Sequence, residues 1–483
     1  MDTSYRNKWW ILAAVSLALF MGTVDGTIVN VALPTLVKDF NTDFPTIQWV
    51  VLAFLLGLSV LMLSVGRLAD MAGKKRIFSI GLVIFVVGSI LCGLSPTVYA
   101  LIAARLVQSI GAAMTVALGV AIVTETWPPE ERGKAIGFSS GVISLGIVIG
   151  PTVGGLIISL LSWHWIFFVN VPLGMLALFL VWRYIPPLKP KAQHERFDFA
   201  GAAVLGLGLL AFLLALTAGQ RTGFTASPIV VLFVLAAVSL IAFIAIERRV
   251  RYPMIDLRLF RNIQFSLNLV TGFLTFVAIA AVTFLMPFYL ELVMMQPVAK
   301  VGLLIAVVPL VLAVLGPLSG SLSDRFGTRP VSVVGLILLV IGYVTTSTIT
   351  ATIAIPLGYI LRTLPIGLGM GVFQSPNNSA IMGAAPRTRL GIASSMLSLT
   401  RTLGQTAGIA VMGAFFASRL NHYAGQPVDI TDAPAGAMVA ALHDQFLVMA
   451  AVVGLGLVLA LWAWQRERKA SATQITAPLQ PDL

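Results

Sequence analysis

Long apolar stretches, separated by short polar or charged breaks, run from one end of the chain to the other and predict membrane-spanning helices. Each stretch has about 20 residues or more, which is the length that an α-helix needs to cross a bilayer. Alternating strands of about ten residues, typical of an outer-membrane barrel, are not seen in the pattern. The predicted fold is therefore an all-α polytopic membrane protein. Its fourteen predicted spans are residues 9–37, 46–66, 77–94, 97–123, 134–160, 165–185, 199–219, 227–246, 264–291, 299–321, 330–350, 353–382, 390–418 and 440–464.

Composition agrees with this reading, since 58% of the 483 residues are apolar and only 10% are charged. The net charge of +12 would by itself suggest nucleic acid or other anionic partners. However, most lysines and arginines fall in the loops on the side of the N-terminus, which identifies that side as cytoplasmic. We therefore expect a multi-pass protein of the cytoplasmic (inner) membrane with both termini in the cytoplasm, and no nucleic-acid partner.

The chain lacks the sequence features of an enzyme or a metalloprotein. Cys92 is the only cysteine, which excludes an intramolecular disulfide and a cysteine-based metal site. The four histidines make no metal-ligand spacing, and no phosphate-binding loop or nucleophile–base pair is present. We expect no cofactor, no metal and no enzymatic activity. Without an ATP site, any process that needs energy would have to use an ion gradient.

An internal repeat is visible in the spacing of a few landmarks. The segments GRLADMAGKKR (66–76) and GSLSDRFGTR (320–329) share one sequence pattern. Arg105 corresponds to Arg362, and these two arginines are separated by nearly the same number of residues as the two segments. This predicts two pseudo-symmetric six-helix bundles with two inserted helices, and such duplicated halves are a transporter architecture with the substrate site at their interface. The predicted domains are a first bundle over 1–190, the inserted helices 7 and 8 over 191–262, and a second bundle with a short cytoplasmic tail over 263–483.

The two repeated loops are candidate gate clamps. Their glycines permit tight turns, and their aspartates can sit at a helix N-terminus or pair with an arginine to hold two helices together. The alternative is an ordinary basic cytoplasmic turn. The candidate gate residues are Gly66, Asp70, Gly73, Arg76, Asp324, Arg325 and Gly327.

Asp25 stands deep inside the first apolar stretch, about 24 Å along a helix from Trp9 at ~1.5 Å per residue. An ionised side chain at that depth costs at least about 2.5–3.5 kcal/mol, so it normally faces a bundle interior or a wet cavity and has a function. Arg105 on the fourth span is the expected partner, and the two form the candidate proton-coupling site. The alternative is a purely structural acid locked to an arginine, or a helix-kink feature.

Two further arginines, Arg362 and Arg401, lie inside predicted spans, and Gln405 lies one turn from Arg401. Contacts between helices, or snorkelling to the interface, are the alternative explanations for both. The predicted spans thus contain one deep acid and three buried arginines, an excess of positive charge. This excess favours neutral, zwitterionic or weakly anionic amphiphiles over dications as substrates. The candidate substrate cavity comprises Asn30, Gln108, Arg362, Gln374, Asn377, Arg401 and Gln405.

The fifth span has an unusual glycine pattern, GFSSGVISLGIVIGPTVGG (137–155). Small residues allow close helix packing in lipid, and proline removes a backbone hydrogen bond. A generic packing face explains scattered glycines but not the whole pattern. Its residues are Gly137, Gly146, Gly150, Pro151, Gly154 and Gly155.

These motifs resemble those of the major facilitator superfamily, and in particular of its fourteen-spanner drug:proton antiporters. The helix-5 glycines match the antiporter motif, residues 66–76 resemble the loop 2–3 signature, and RLVQSIGAA (105–113) and VDGTIVNVALP (24–34) are similar to the helix-4 and helix-1 motifs. The resemblance implies that Asp25 is the proton-linked acid, that Arg105 lies near the proton path, and that Gly150 and Pro151 form a hinge. Met71 stands where the loop motif usually has arginine.

The expected function is proton-coupled multidrug efflux, in which an antiporter exports amphipathic small molecules by alternating access. A proton-coupled uptake symporter for a small polar nutrient is the alternative, since the loop motif is shared by uptake carriers. The expected partners are amphipathic substrates, protons and the lipid bilayer. A periplasmic adaptor subunit would join them if the source is Gram-negative.

Overall fold

The computed structural model describes residues 7–128, 131–186, 198–250, 257–386 and 390–475, and this part of the chain is helical and contains no strand. A short 3-10 helix, Leu257–Arg261, precedes the ninth helix, and one turn of π-helix, Tyr289–Val293, extends it. The helices are α1 (Lys8–Asp39), α2 (Phe44–Ala72), α3 (Lys74–Gly93), α4 (Val98–Thr126), α5 (Arg132–Leu160), α6 (Trp165–Phe168 and Asn170–Tyr184), α7 (Phe199–Thr222), α8 (Ser227–Arg249), α9 (Ile263–Phe288), α10 (Val298–Ile305 and Val307–Phe326), α11 (Thr328–Ser347), α12 (Leu357–Ala384), α13 (Leu390–Ala407, a π-helical turn Gly408–Met412 and Gly413–Ala424) and α14 (Ala435–Ile475).

Twelve of these helices are long and apolar enough to cross a membrane, as judged over the described residues. The other two, α12 and α13, lie where spans are predicted but carry more polar side chains, among them Gln374, Asn377 and Arg401. The all-α polytopic fold is therefore confirmed, while the number of fourteen spans stays a prediction.

The same six helix pairings occur in both halves of the chain. In the first half α1 packs against α4, α5 and α6, α4 also packs against α2 and α3, and α3 packs against α6. In the second half α9 packs against α12, α13 and α14, α12 also packs against α10 and α11, and α11 packs against α14. Helices α7 and α8 pair with each other, and α7 attaches the pair to α2. The domain boundaries stay a prediction, and the one at residue 190 lies outside the described residues.

The halves meet most closely at the end of the molecule that holds Lys38, Asp43 and Glu291, which we name the opposite face. The other end, where α1 and α3 begin, is the terminal face. At the opposite face Lys38 of α1 forms an ion pair of 2.8 Å with Glu291, and the Phe44 ring lies 5.5–5.8 Å from three phenylalanine rings of the second half. Aromatic packing of this kind joins the halves at this face.

Asp43 caps the N-terminus of α2 at the opposite face. Its side chain accepts hydrogen bonds from the backbone N–H of Thr46 (3.1 Å) and from Arg221 of α7 (2.5 Å). Partial burial alone would raise the pKa of Asp43, but the hydrogen bonds from Arg221 and Thr46 outweigh it and hold the pKa below its ordinary value. The cap therefore fixes the start of α2 and ties it to α7.

We expect Asp43→Ala to destabilise the protein by about 1 kcal/mol, because it removes an N-cap acceptor. Asp43→Asn keeps the acceptor and loses the charge, so it should have less than half of that effect. Because the folded-state pKa of Asp43 is lowered, the contribution of its charge is present at neutral pH and is lost as the pH falls through that pKa. Thermal unfolding in detergent from pH 7.5 down to below the ordinary pKa of an aspartate tests this, and equal melting temperatures for all three proteins at pH 7.5 would contradict it.

Candidate functional site

The acid singled out in the sequence lies in the interior of the first half. Asp25, midway along α1, has no solvent exposure, and Arg105 on α4 is 1% exposed. The carboxylate is enclosed by α1, α3, α4 and α6, so it faces neither lipid nor an exposed loop. This is a buried charge with a partner, the arrangement in which such residues are found at membrane depth.

Three side chains donate hydrogen bonds to the Asp25 carboxylate. Arg105 Nη1 lies 2.5 Å from Oδ2, while Gln108 Nε2 and Asn170 Nδ2 lie 2.8 and 2.9 Å from Oδ1. These donors come from α4 and α6, so ionised Asp25 holds three helices together through short hydrogen bonds, one of them charge-assisted. The expected Asp25–Arg105 pairing is therefore present in the structure.

The partners of Asp25 are themselves held in place. Arg105 donates from Nη1 to Gln108 Oε1 (2.7 Å) and from Nε to the Val50 carbonyl (3.0 Å), and its guanidinium carbon lies 4.2 Å from the centre of the Phe54 ring. Gln108 Nε2 also donates to Ser89 Oγ at 2.8 Å. Two of the three donors, Arg105 and Gln108, thus have further partners that fix their orientation, as a network that positions a proton-accepting group requires.

The sequence placed Gln108 in the substrate cavity, whereas the structure places it in the Asp25 cluster with no solvent exposure. The physical reason is its position one helical turn after Arg105, on the same face of α4. Asn170 and Ser89 were not identified from sequence. Both are single polar residues in apolar stretches, and their neutral side chains give little signal of a charged partner.

Asn30 is buried on α1, one helical turn after Gly26. Its Nδ2 donates to the Gly26 carbonyl at 3.4 Å, and a Cβ added to Gly26 would touch nothing within 4 Å. The buried Oδ1 of Asn30 has no partner among the described residues, and the same holds for Oε1 of Gln374 on α12. Both amides can therefore accept a hydrogen bond from a ligand.

The remaining cavity candidates do not form one cluster. Asn377 on α12 accepts a hydrogen bond from Thr271 of α9 at 3.4 Å, inside the second half. The Arg401 guanidinium lies 5.7 Å from the Phe276 ring, and Gln405 follows one turn later on α13. Arg362 does not reach this region, since it binds the Thr348 side chain (3.1 Å) and the Gly358 carbonyl (3.0 Å) near the opposite face.

The glycine pattern of α5 serves two helix contacts. A Cβ at Gly146 or Gly150 would lie 2.4 or 2.0 Å from the hydroxyl oxygens of Thr23 and Thr27, and Gly154 faces Ile28 equally closely. These residues of α1 flank Asp25 along the helix. Because these three positions are glycines, α5 can pack directly against the helix that carries the buried acid.

The other face of α5 forms a contact with the second half. A Cβ at Gly155 would lie 2.6 Å from the Val298 carbonyl of α10, and one at Gly302 of α10 would lie 2.2 Å from the Pro151 carbonyl. Gly137 differs from the rest of the motif, since nothing lies within 4 Å of its added Cβ. Helix α5 thus connects the Asp25 helix with the contact between the two halves.

The repeated loops adopt matching backbone conformations. Gly73 and Gly327 have φ of 91° and 88°, and each donates a backbone hydrogen bond of 2.9 Å to the residue four positions earlier. A left-handed φ favours glycine, which explains this residue in both copies. Arg76, Asp324 and Arg325 are exposed, and no ion pair joins them to any residue in the described part of the chain. The surroundings of Gly66 and of the Asp70 side chain lie outside the described part of the structure.

The helices, the repeat and the motifs can now be compared with known proteins. The chain matches the family described as the Major Facilitator Superfamily over residues 15–409 and, in an overlapping second match, over residues 269–481. The chain belongs to the Major Facilitator Superfamily. As a member, it is a multi-pass membrane transporter for small molecules and not an enzyme.

Several curated superfamily members are similar along most of their length. The chain is 33% identical over 469 residues to the riboflavin transporter RibZ of Clostridioides difficile (strain 630), which covers 96% of this chain and 99% of that protein. It is 34% identical over 421 residues to the multidrug resistance protein Stp of Mycobacterium tuberculosis (strain ATCC 25618 / H37Rv), covering 86% of this chain and 77% of that one. It is 30% identical over 399 residues to the multidrug export protein EmrB of Haemophilus influenzae, covering 82% and 78%.

Solved superfamily structures share the fold. A bacterial homologue of the human lysosomal transporter Spinster, in an inward-facing and unoccupied conformation, aligns with a TM-score of 0.68 at 17% identity and covers 98% of this chain and 99% of that chain. At this identity the likeness concerns the fold alone. The family resemblance inferred from the motifs is thus confirmed.

Proposed function

We propose that this transporter exports amphipathic small molecules in exchange for protons. The observation that carries the proposal is Asp25, a carboxylate with no solvent exposure that accepts hydrogen bonds from Arg105, Gln108 and Asn170. A buried acid held by donors from two other helices is suited to couple proton binding to helix position. The multidrug proteins among its relatives support the export direction.

The coupling follows from the hydrogen bonds of the carboxylate. When a proton binds, one oxygen of Asp25 becomes a donor, and it then faces N–H groups that can only donate. The cluster must loosen, and α1 is freed to move against α4 and α6. Since α5 rests on α1 at Gly146 and Gly150 and on α10 at Gly155, a shift of α1 changes the contact between the halves.

Alternating access then needs only two states with opposite preferences. One state holds Asp25 ionised in its closed cluster, with the halves joined at the opposite face. The other holds it protonated with this contact open. Substrate and proton drive each other if each binds one state better, because a ligand shifts an equilibrium by its differential affinity. The proton gradient supplies the energy, with the terminal face and both chain termini in the cytoplasm.

A second candidate is proton-coupled uptake of a polar nutrient. It is favoured by the similarity to the riboflavin transporter RibZ over nearly the full length of both proteins. The same Asp25 cluster can serve a symporter if proton and substrate prefer the same state. The two functions therefore differ in the relative direction of proton and substrate, which a transport assay measures.

The test uses the full chain in proteoliposomes that contain a pH-sensitive dye. Amphipathic dyes and riboflavin are added, each with and without an imposed pH gradient. Exchange predicts that substrate moves against the proton flow, with at least a fivefold faster rate under the gradient. Movement of substrate and protons in the same direction would favour the uptake function, and rates independent of the gradient would exclude both forms of coupling.

A further inference from the structure

Arg401 is a cation in the interior of the second half, and the described residues give it no counter-ion. It lies on α13 about 16 Å from Leu390 at ~1.5 Å per residue, and is only partly exposed. Its guanidinium lies over the Phe276 ring of α9, at 5.7 Å from the ring centre. Among the described residues it has no hydrogen-bond acceptor and no ion pair, unlike Arg105 and Arg362.

The contact with Phe276 is built into the packing of the two helices. Gly404, nearly one turn after Arg401, brings α13 against the backbone of α9, because an added Cβ would lie 2.9 Å from the Phe273 carbonyl and 2.7 Å from Phe276 Cβ. Helix α13 also packs against α2 of the first half. Arg401 is therefore placed near the junction of the halves, above an aromatic ring that attracts a cation.

Within the described part of the chain, no acid forms an ion pair with Arg401. Among the described acids of the second half, Glu291 pairs with Lys38, and Asp444 within α14 pairs with Arg419. The others lie towards helix ends or in loops. Asp25, which lies midway along α1, is already paired with Arg105. An uncompensated charge at membrane depth is costly, so a bound anion would relieve a cost that the protein alone does not.

We propose that Arg401 binds the anionic group of an amphipathic substrate, with Phe276 contacting its aromatic part. A guanidinium presents two parallel N–H groups to a carboxylate or sulfonate, which gives both strength and orientation. Of the three arginines inside predicted spans, Arg105 is paired with Asp25 and Arg362 is bonded near the opposite face, which leaves Arg401 for this role. This inference rests on the proposed transport function and names the substrate class.

Two fluorescent probes of matched shape test the proposal. One is an anthracene sulfonate, an anion at any accessible pH, and the other is an anthracene trimethylammonium. Binding to the purified full chain is measured in neutral detergent. We expect the wild type to bind the sulfonate at least tenfold more tightly, and Arg401→Gln to lose at least tenfold for the sulfonate only. Arg401→Lys should recover part of the loss, since it restores charge without the two-pronged geometry.

Arg362→Gln is the matched control, because it removes an equal charge from a site at the opposite face and should leave sulfonate binding within twofold. The inference is wrong if the wild type shows no preference for the sulfonate, or if Arg401→Gln binds it normally. Displacement of the sulfonate by phosphatidylglycerol at equal concentration would instead identify a lipid headgroup as the occupant and overturn the substrate assignment. If the proton gradient drives export of the anthracene trimethylammonium but not of the sulfonate, this inference is wrong, while the proposed transport function still holds.

Discussion

Asp25→Asn is expected to abolish proton-coupled transport, with gradient-driven rates falling at least 100-fold. The asparagine oxygen can still accept from Arg105, but its NH₂ group replaces an oxygen that accepts from Gln108 and Asn170. The side chain can no longer exchange a proton. Removing one member of a buried ion pair costs about 3–5 kcal/mol when the other charge is left unpaired, and the retained carbonyl should keep the loss below that range.

Asp39→Asn is the control for this variant. It removes the same charge from the same helix, at an exposed position at the end of α1, and should leave transport within twofold of wild type. Substrate exchange in the absence of a gradient shows whether Asp25→Asn still binds and moves substrate. Gradient-driven transport at more than a third of the wild-type rate would show that Asp25 is a structural acid, the alternative left open by the sequence.

The single cysteine offers an independent readout of the same cluster. Cys92 is fully buried and lies 3.7 Å from Gln108 Oε1, next to the network around Asp25. If proton binding loosens this network, maleimide should label Cys92 faster at low pH in the wild type, after correction for the reactivity of the thiol itself. In Asp25→Asn, labelling should lose its extra dependence on pH.

The charged residues of the Asp25 site could be predicted from the sequence, but its neutral residues could not. A carboxylate in an apolar stretch is conspicuous because it is costly, and its pairing with Arg105 follows from the need for compensation. Gln108 and Asn170 are neutral amides, which also occur as ordinary packing residues in such helices. Their roles depend on where α4 and α6 approach α1, and that geometry is set by tertiary packing.

The internal repeat predicted the helix pairings better than it predicted side-chain roles. In the internal repeat Arg362 corresponds to Arg105, but the residue of α9 that corresponds to Asp25 is Ala278. Without an acid to bind, Arg362 extends to the end of α11 and to a backbone carbonyl of its own helix. Duplicated backbones thus retain their packing after the polar partners have diverged, so a match in the repeat does not by itself give Arg362 the role of Arg105.

The second large effect is expected at the glycine contact between the halves. Gly155→Val should reduce transport at least tenfold and weaken closure at the opposite face. Even a Cβ at this position would lie 2.6 Å from the Val298 carbonyl and 3.2 Å from Ala299 Cα, and these backbone atoms cannot move without displacing α10. The branched side chain must therefore push α5 and α10 apart where the halves are now joined.

Gly137→Val is the matched control, because it makes the same substitution in the same helix and motif at a position where an added Cβ meets nothing within 4 Å. It should keep at least half of the wild-type transport rate, and Gly137→Ala should gain stability because alanine is the better helix former by about 1 kcal/mol.

Closure at the opposite face is measured by maleimide labelling of Val51→Cys in a Cys92→Ser background. Val51 is buried one turn after Gln48 on α2, and Gln48 contacts Gly413 of α13. Maleimide should label Val51→Cys faster when Gly155→Val is present and at an unchanged rate with Gly137→Val. Equal labelling rates with Gly155→Val and Gly137→Val would mean that the glycines of α5 serve only its packing on α1. Asp25 would then be coupled to the junction of the halves through other residues.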